Sequence, residues 1–286
     1  MADPAGVAAA LKEGIQHADA ALAVDPDDPD ALELRGTFNY WLWLTRSGES
    51  DAANAEALRQ ADADLQRATN LNAGLARSWS MLSAIREARG EFAAANLAAG
   101  RAYREDAFLE NASEILVRLF TTSLEVGDAA AASRWCDEIG QRMTGSWLHG
   151  YCALESLAWQ DDPGVEVDSV RSIVDRATST GGAASMRPRL ELLGAVVLAK
   201  LGARSEAVRA IQDAKQALGN DPDAPDTDAL KIEAWARLAL GEEDVALSLL
   251  RRVGEANPDG ARAASASRRF AAIADRLPDR PAQERR

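Results

Sequence analysis

The chain has 286 residues, of which 47% are hydrophobic and 27% are charged, and this composition excludes an intrinsically disordered protein. Its net charge of -13 argues against a nucleic-acid partner, because phosphate binding needs clustered lysine and arginine side chains. No stretch approaches about 18 uninterrupted apolar residues, and the first residues lack the pattern of a signal peptide, so we expect no membrane span and a cytoplasmic location.

Helical patterns account for nearly the whole sequence. Alanine-rich windows repeat apolar residues at spacings of three and four, and strand-like segments bounded by hairpin turns are missing. We therefore predict an all-α protein with a single domain over residues 1–286. Residues 179–187 (STGGAASMR) are the predicted hinge, and residues 278–286 are a predicted flexible tail.

The first segment, residues 5–24, reads as the second helix of a helix pair whose first helix is missing. Its apolar residues recur at helical spacing, and Asp25-Pro26 ends it. Two explanations stay open. Either the chain is a fragment of a longer protein, or the opening helix packs on a partner that supplies the missing half.

Residues 27–44 carry the most aromatic helix of the sequence, with Asp30 as its predicted N-cap. Phe38 and Trp41 lie on one face, whereas Tyr40 and Trp43 must lie elsewhere on the same helix. We expect this helix to be buried on most sides, with an exposed apolar patch as the alternative. A loop at residues 45–50 and a long helix at residues 51–71 follow.

Residues 79–107 contain the clearest helix pair. The first helix carries Trp79 and Leu82 on one face, and Gly90 ends it because glycine adopts a left-handed backbone at little cost. The second helix presents a stripe of small side chains that lets two backbones approach closely: Ala95, Ala99 and Ala102.

The same scheme repeats along the rest of the chain. Turn glycines are predicted at Gly127, Gly202 and Gly241, and Asp128 is the predicted N-cap of the helix after the first of them. Residues 145–180 form an irregular copy that is broken at residues 161–164. Residues 261–277 are predicted to form one amphipathic helix that caps the open end of the array.

The pair at residues 79–107 resembles the tetratricopeptide repeat family, whose pattern runs W-x2-L-G-x2-Y, then A-x3-F, then P, over about 34 residues. Trp79, Leu82 and Ala95 match this pattern, whereas Arg86 and Ala107 stand where the family has tyrosine and proline. The resemblance implies an α-solenoid of about six helix pairs, in which stacked neighbours bury each other's apolar faces.

The resemblance also implies a partner and a place for it. Tetratricopeptide arrays bind peptide segments or helices of other proteins in a concave groove that their first helices line. Transferring the family register predicts a groove lined by Glu33, Thr37, Tyr40, Trp41, Arg77, Ser80, Ala84, Glu87, Glu114, Val117, Thr121 and Leu124. The lysine and asparagine clamp of one family subtype is not carried over, because its positions hold other residue types in this chain.

Residues 31–44 (ALELRGTFNYWLWL), 95–103 (ANLAAGRAY) and 132–138 (ASRWCDE) look like parts of the C-terminal repeat regions attached to bacterial serine/threonine kinases and regulators. The chain contains no kinase glycine loop or HRD segment. This second resemblance therefore implies a companion scaffold, whose partner is a kinase, another signalling protein or a fused upstream domain.

Residues suited to catalysis or metal binding are few and scattered. His17 and His149 belong to no zinc motif, and phosphate-binding glycine loops are absent. Cys136 and Cys152 are expected to be buried free thiols, with a disulfide as the alternative. The acidic loop at residues 221–228 lacks the glycine that an EF-hand calcium loop needs. We therefore predict no catalytic residue, no metal and no cofactor.

Two further features concern the surface. Helical spacing places most tryptophans in the core, and Trp43 and Trp159 are the candidates for exposure because they lie beside loops. Residues 251–286 hold nine arginines and five acidic residues, which indicates an exposed basic last helix, with a docking surface as the alternative.

The sequence thus favours a non-enzymatic scaffold that binds a partner protein. The alternative is a ligand-sensing module of a bacterial signalling protein, in which the aromatic residues 38–43 and the hinge near Gly181 hold a small molecule. An enzyme is the third hypothesis, and no acid–base or nucleophile arrangement supports it.

Overall fold

The computed structural model describes residues 4–48, 50–108, 111–180, 183–219 and 225–277. Within these ranges all regular structure is helical, which confirms the all-α prediction. The helices are α1 Pro4–Val24, α2 Pro29–Leu44, α3 Asp51–Leu71, α4 Ala76–Ala88, α5 Phe92–Glu105, α6 Ala112–Val126, α7 Ala129–Arg142, α8 Trp147–Ala158, α9 Val167–Thr178, α10 Arg187–Lys200, α11 Arg204–Leu218, α12 Thr227–Ala239, α13 Glu243–Ala256 and α14 Pro258–Ala266. A 3₁₀ helix at Arg268–Arg276 follows α14.

The chain divides into two compact units. Unit 1 contains residues 1–87 and 93–118, and unit 2 contains residues 88–92 and 119–286. The predicted hinge at residues 179–187 includes residues 181 and 182, which lie outside the described residues, as do the predicted tail at 278–286 and residues 221–224 of the acidic loop. The single domain, the hinge and the tail therefore stay predictions.

In four helix pairs a turn glycine lies between the first and the second helix, as the sequence predicted. Gly90, Gly127, Gly202 and Gly241 have φ values of 75°, 85°, 76° and 76°, in the left-handed region that glycine enters without a Cβ penalty. Asp128 is the N-cap of α7, and its side chain accepts a hydrogen bond from the amide of Ala131 at 2.8 Å.

The predicted stripe of small side chains on α5 is confirmed as core. Ala95, Ala99 and Ala102 are completely buried, and the core cluster around α3, α4 and α5 contains Leu65 and Ile85. A larger side chain in this stripe would push the neighbouring helices apart, so the stripe fixes how closely the pairs stack.

An ion-pair network fixes α2 in unit 1. The guanidinium of Arg35 on α2 donates two hydrogen bonds to the buried carboxylate of Asp64 on α3, at 2.8 and 2.7 Å. It also reaches Asp19 on α1 at 2.8 Å. Such a fork-to-carboxylate pair restricts orientation as well as distance, so α1, α2 and α3 are held together by charge as well as by apolar packing.

In unit 2, helix α10 lies between α8 and α12 and also packs on α9 and α11. Seven consecutive residues of α10, from 192 to 198, are buried, which accounts for its continuous apolar sequence. Helices α8, α10 and α12, the first helices of their pairs, therefore lie side by side.

The first turn of α2 begins earlier than predicted. Asp28, rather than Asp30, is its N-cap, and the Asp28 side chain accepts hydrogen bonds from the amides of Asp30 and Ala31. The reason is Pro29, which suits the first helical position because that position needs no amide donor.

The predicted single helix over residues 261–277 is wrong. Helix α14 ends at Ala266, and Ser267 has extended backbone angles, with φ -73° and ψ 134°. The Ser267 hydroxyl accepts a hydrogen bond from the amide of Arg269, which starts the 3₁₀ helix. The segment therefore changes direction at Ser267 instead of continuing as one helix.

The expectation of free thiols is also wrong. Cys136 on α7 and Cys152 on α8 form a disulfide, with their Cα atoms 5.7 Å apart. The two residues are 16 positions apart, and α7 and α8 pack against each other as consecutive helices, which brings them together.

None of the described helices is long and apolar enough to cross a membrane.

Candidate partner-binding faces

The first helices of unit 1 lie side by side, starting with α2 and α4. The hydroxyl of Ser78 on α4 donates a hydrogen bond to the Glu33 carboxylate on α2 at 2.8 Å. One turn further along each helix, the Thr37 hydroxyl contacts the Met81 sulfur at 3.4 Å. Of the predicted groove residues, Glu33 is therefore half-buried and Thr37 is buried, both in contacts with the next helix.

Helices α4 and α6 are linked in the same way. The Asn111 side chain donates to the Ser80 hydroxyl at 2.8 Å, and Arg118 donates to the Glu87 carboxylate at 3.0 Å. Ser80 is buried by this contact, whereas Glu87 is half-buried. We call the surface formed by α2, α4 and residues 112–118 of α6 the unit 1 face.

The aromatic residues of α2 divide between core and surface. The Tyr40 ring lies 5.7 Å from the rings of both Trp41 and Trp43, and burial raises the pKa of its hydroxyl. Trp43 packs against the apolar cluster of α3 and α4, so its predicted exposure is wrong. Trp41 is 43% exposed and presents an aromatic surface to solvent.

The remaining predicted groove positions differ in exposure. Arg77 and Glu114 are exposed, and Ala84 and Val117 are half-buried. Thr121 and Leu124 belong to unit 2 and are buried. The unit 1 face is thus a mixed surface with exposed charges and one exposed tryptophan.

A second group of charged and aromatic residues lies in unit 2, and sequence reasoning missed it. The carboxylates of Glu125 on α6 and Glu155 on α8 are both buried and both pair with Arg269 of the 3₁₀ helix. The Arg269 guanidinium also lies 5.6 Å from the Trp159 ring and 5.1 Å from the Trp235 ring. We call Glu125, Glu155, Trp159 and Trp235 the arginine pocket.

The residues before Arg269 hold the same carboxylate. The Ser267 hydroxyl donates to Glu125 Oε1 at 2.6 Å, and the Arg268 amide donates to Glu125 Oε2 at 3.0 Å. The Arg268 side chain donates to the carbonyl of Leu124 at 3.2 Å. Burial raises the pKa of Glu125, and the charge of Arg269 together with these hydrogen bonds opposes that rise.

The arginine pocket corrects one sequence interpretation and adds an exception to another. Trp159 is half-buried beneath Arg268 and Arg269, with its ring 5.7 Å from that of Trp235, so its predicted exposure is wrong. Arg269 is largely buried, which is an exception within the arginine-rich end, because its other described arginines are exposed as expected: Arg251, Arg252, Arg262, Arg268 and Arg276. The available signal was a pair of glutamates in apolar helical windows, Glu125 and Glu155, which need a cation if they are buried.

Several of the residues considered for chemistry make structural contacts instead. Asp226 and Asp228 of the acidic loop both pair with Arg189, at 2.8 and 3.4 Å. Cys152 is in the disulfide and therefore cannot act as a thiol nucleophile. The described residues contain no group of three or more side chains placed to hold a metal ion.

Neither a protein-family model nor a curated protein matches the chain. Solved structures similar to it include the following three. YrrB, a TPR protein with an unusual peptide-binding site, has 15% identity over 86% of this chain and 95% of its own, with a TM-score of 0.36. The APC/C hetero-tetramer Cut9-Hcn1 has 12% identity over 94% of this chain and 53% of its own, with a TM-score of 0.45. The P58(IPK) TPR domain has 14% identity over 94% of this chain and 95% of its own, with a TM-score of 0.32. These values are low, so the description of the fold rests on the helix pairs themselves.

Proposed function

We propose that this protein is a non-enzymatic scaffold that binds a peptide or helix of a partner protein on the unit 1 face. The observation that carries the proposal is the exposed Trp41 beside a row of polar contacts between neighbouring first helices. Tryptophan is enriched among residues that dominate binding energy, because it buries a large surface and loses little conformational entropy. The unit 1 face therefore offers an anchor on a rigid surface.

The charges on the unit 1 face support a partner of mixed polarity. Glu87 is paired with Arg118, whereas Arg77 and Glu114 are exposed at its surface. Because exposed charges at the rim of an interface set orientation more than affinity, we expect Trp41 to supply most of the binding energy and Arg77 to contribute less.

Affinity capture with the full chain as bait tests this proposal. The parent, Trp41→Ala and Leu97→Ala are compared, with quantitative mass spectrometry of the captured proteins. Leu97 is a matched control, since it is 72% exposed but lies on α5, outside the unit 1 face. The proposal predicts a protein that the parent and Leu97→Ala retain and Trp41→Ala loses. Equal recovery by all three baits contradicts it.

The partner class follows from the resemblance to repeat regions of bacterial kinases and regulators. A scaffold without a kinase glycine loop acts by bringing a signalling protein to its target, either as a separate chain or fused to an upstream domain. Identification of the captured protein as a kinase or regulator supports this finer proposal.

A ligand-sensing module is the second candidate function. A cavity of about 230 Å³ between α9, α10 and α11 favours it, with Arg171, Glu191 and Arg209 among its lining residues. Pockets for drug-sized ligands usually have volumes of about 300–1,000 Å³, so this cavity suits only a smaller molecule. The size difference makes the scaffold the better-supported function.

The cytoplasm is the compartment proposed from the sequence, and the disulfide between α7 and α8 argues against it. Disulfides persist in oxidising compartments and are rare where glutathione keeps thiols reduced. Alkylation of intact cells, followed by mass spectrometry of Cys136 and Cys152, decides the matter. Alkylated thiols support the cytoplasm, and an intact disulfide supports an oxidising compartment.

A further inference from the structure

We propose that the arginine pocket of unit 2 is a recognition site for an arginine-bearing peptide segment, and that the chain's own 3₁₀ helix is the segment that occupies it. The proposal concerns residues of unit 2 alone. It is therefore independent of partner binding on the unit 1 face.

Two acidic side chains converge on one point of unit 2. Glu125 comes from α6 and Glu155 from α8, and Glu155 is only 1% exposed. Two buried carboxylates that face one point require a cation between them, because an uncompensated buried charge is costly. Arg269 supplies that cation from a separate part of the chain.

The aromatic rings around this point select arginine. Trp159 and Trp235 lie with their rings 5.7 Å apart, and the Arg269 guanidinium is within 6 Å of both. A planar guanidinium stacks on aromatic faces while its N–H groups pair with carboxylates, and a lysine ammonium does not combine the two in the same way.

Residues beside Arg269 in the same segment also make contacts that hold it in place. Glu125 accepts hydrogen bonds from the Ser267 hydroxyl and from the Arg268 amide. After Arg269, the side chains of Phe270 and Ile273 are 2% and 1% exposed. The recognised pattern is therefore Ser-Arg-Arg-Phe-x-x-Ile, with polar contacts at its start and apolar anchors three residues apart.

The conformation of the occupant supports the same assignment. The segment Arg268–Arg276 is kinked at Phe270, whose backbone angles of φ -110° and ψ 16° are not helical, so it consists of two short 3₁₀ turns. Ser267, which has an extended backbone, separates it from α14. Short 3₁₀ turns form few hydrogen bonds of their own, so we infer that the contacts of Ser267, Arg268 and Arg269 with the pocket hold the segment in place.

The test uses a fluorescent peptide of residues 267–277 (SRRFAAIADRL) as the probe and three full-length proteins. These are the parent, Arg269→Ala and Arg276→Ala. Arg276 is the matched control, because it pairs with Glu243 and Asp244 at the surface and not with the pocket. Fluorescence anisotropy measures the affinity of the probe for each protein.

The proposal predicts that Arg269→Ala binds the probe at least about tenfold more tightly than the parent, since a tethered segment competes at a roughly millimolar effective concentration. Arg276→Ala should behave as the parent does. A probe with alanine in place of its Arg269 equivalent should bind none of the proteins. Equal binding of both probes, or equal affinity for all three proteins, overturns the proposal.

Two further variants cover the case in which removal of Arg269 affects folding. Circular dichroism melting shows whether Arg269→Ala is folded, and Arg269→Lys replaces it if it is not. The lysine variant should bind the probe more tightly than the parent, and adding Glu155→Gln should abolish that gain. If neither variant folds, or the gain survives Glu155→Gln, the segment is an integral part of the fold and the proposal fails.

Discussion

Single residues in this chain are constrained by contacts that come from far along the sequence. Gly90 ends α4 with a left-handed backbone, as its position after the last apolar residue predicts. Its environment adds a second constraint, because a Cβ atom at this position would lie 2.6 Å from the Cβ of Ala266 on α14. The returning C-terminal part of the chain therefore restricts a turn that local geometry alone would leave open.

Gly90→Ala should destabilise the protein more than Gly202→Ala does. Both glycines have nearly the same φ, 75° and 76°, so both variants bear a left-handed strain of about 1–2 kcal/mol. Only Gly90 has a close neighbour, since nothing lies within 4 Å of a Cβ at Gly202. Overpacking should add about 1–3 kcal/mol for Gly90→Ala. Urea unfolding of both variants measures the difference, and equal losses would show that α14 does not pack on this turn.

Glu125 gives the stability a dependence on pH. Burial raises its pKa above the ordinary value of 4.5, so the folded chain keeps this proton to a higher pH than the unfolded chain does. Its contribution to stability is therefore fully present below the unfolded pKa and is lost as pH rises through the folded pKa.

Glu125→Gln removes this titration. The free energy of unfolding of the parent, minus that of the variant, should fall as pH rises above the ordinary carboxyl pKa of 4.5, because only the parent has this proton to lose. Denaturant unfolding at a series of pH values measures it. A difference that increases with pH would show that pairing with Arg269, and not burial, dominates the pKa of Glu125.

At the scale of secondary-structure elements, helix pairs and their covalent link define the architecture. The disulfide between Cys136 and Cys152 joins α7 to α8 across a sequence separation of 16 residues. A bridge that closes a loop of this length restricts the unfolded chain, and the expected stabilisation is about 3 kcal/mol.

Reduction of the disulfide should lower the free energy of unfolding by about 2–4 kcal/mol and leave the native helical content unchanged. The comparison uses the oxidised protein, the protein in a reducing agent, and a Cys136→Ala/Cys152→Ala variant as the control that does not respond to reductant. Identical unfolding curves in the presence and absence of reductant would show that the bridge contributes nothing to stability.

The sequence predicts those elements whose determinants are local. Gly127 and Asp128 mark a turn and an N-cap through their own backbone preferences, and the alanine stripe of α5 follows from helical spacing, so these features are readable without a structure. The change of direction at Ser267 is not, because its cause is a hydrogen bond to Glu125 more than 140 positions earlier. The same holds for the arginine pocket, whose four residues come from three separate helix pairs.

The N-cap of α2 was predicted at Asp30 and lies two residues earlier, at Asp28. An aspartate before an apolar helix is a good N-cap, and three aspartates near the start of α2 fit that pattern. Pro29 decides between them, because it occupies the first helical position and leaves Asp28 as the residue before the helix. The prediction of free thiols at Cys136 and Cys152 was wrong for a different reason. Sequence spacing alone does not specify which side chains of two consecutive helices face each other.

At the scale of the whole molecule, the protein has an exposed charged and aromatic surface in unit 1 and, in unit 2, a pocket that holds Arg269 of its own chain. The unit 1 face presents Trp41, Arg77 and Glu114 to solvent. In unit 2 the comparable surface of first helices is contacted by the 3₁₀ helix through Arg269.

The central claim is that a partner binds the unit 1 face, and site-specific photocrosslinking in cells tests it most directly. A photoreactive amino acid replaces Trp41 in one sample and the exposed Leu97 of α5 in another, and mass spectrometry identifies the crosslinked peptides. We predict that position 41 crosslinks to a defined segment of one protein and that position 97 does not. Crosslinks to that protein from position 97 alone, or from neither position, would contradict the account.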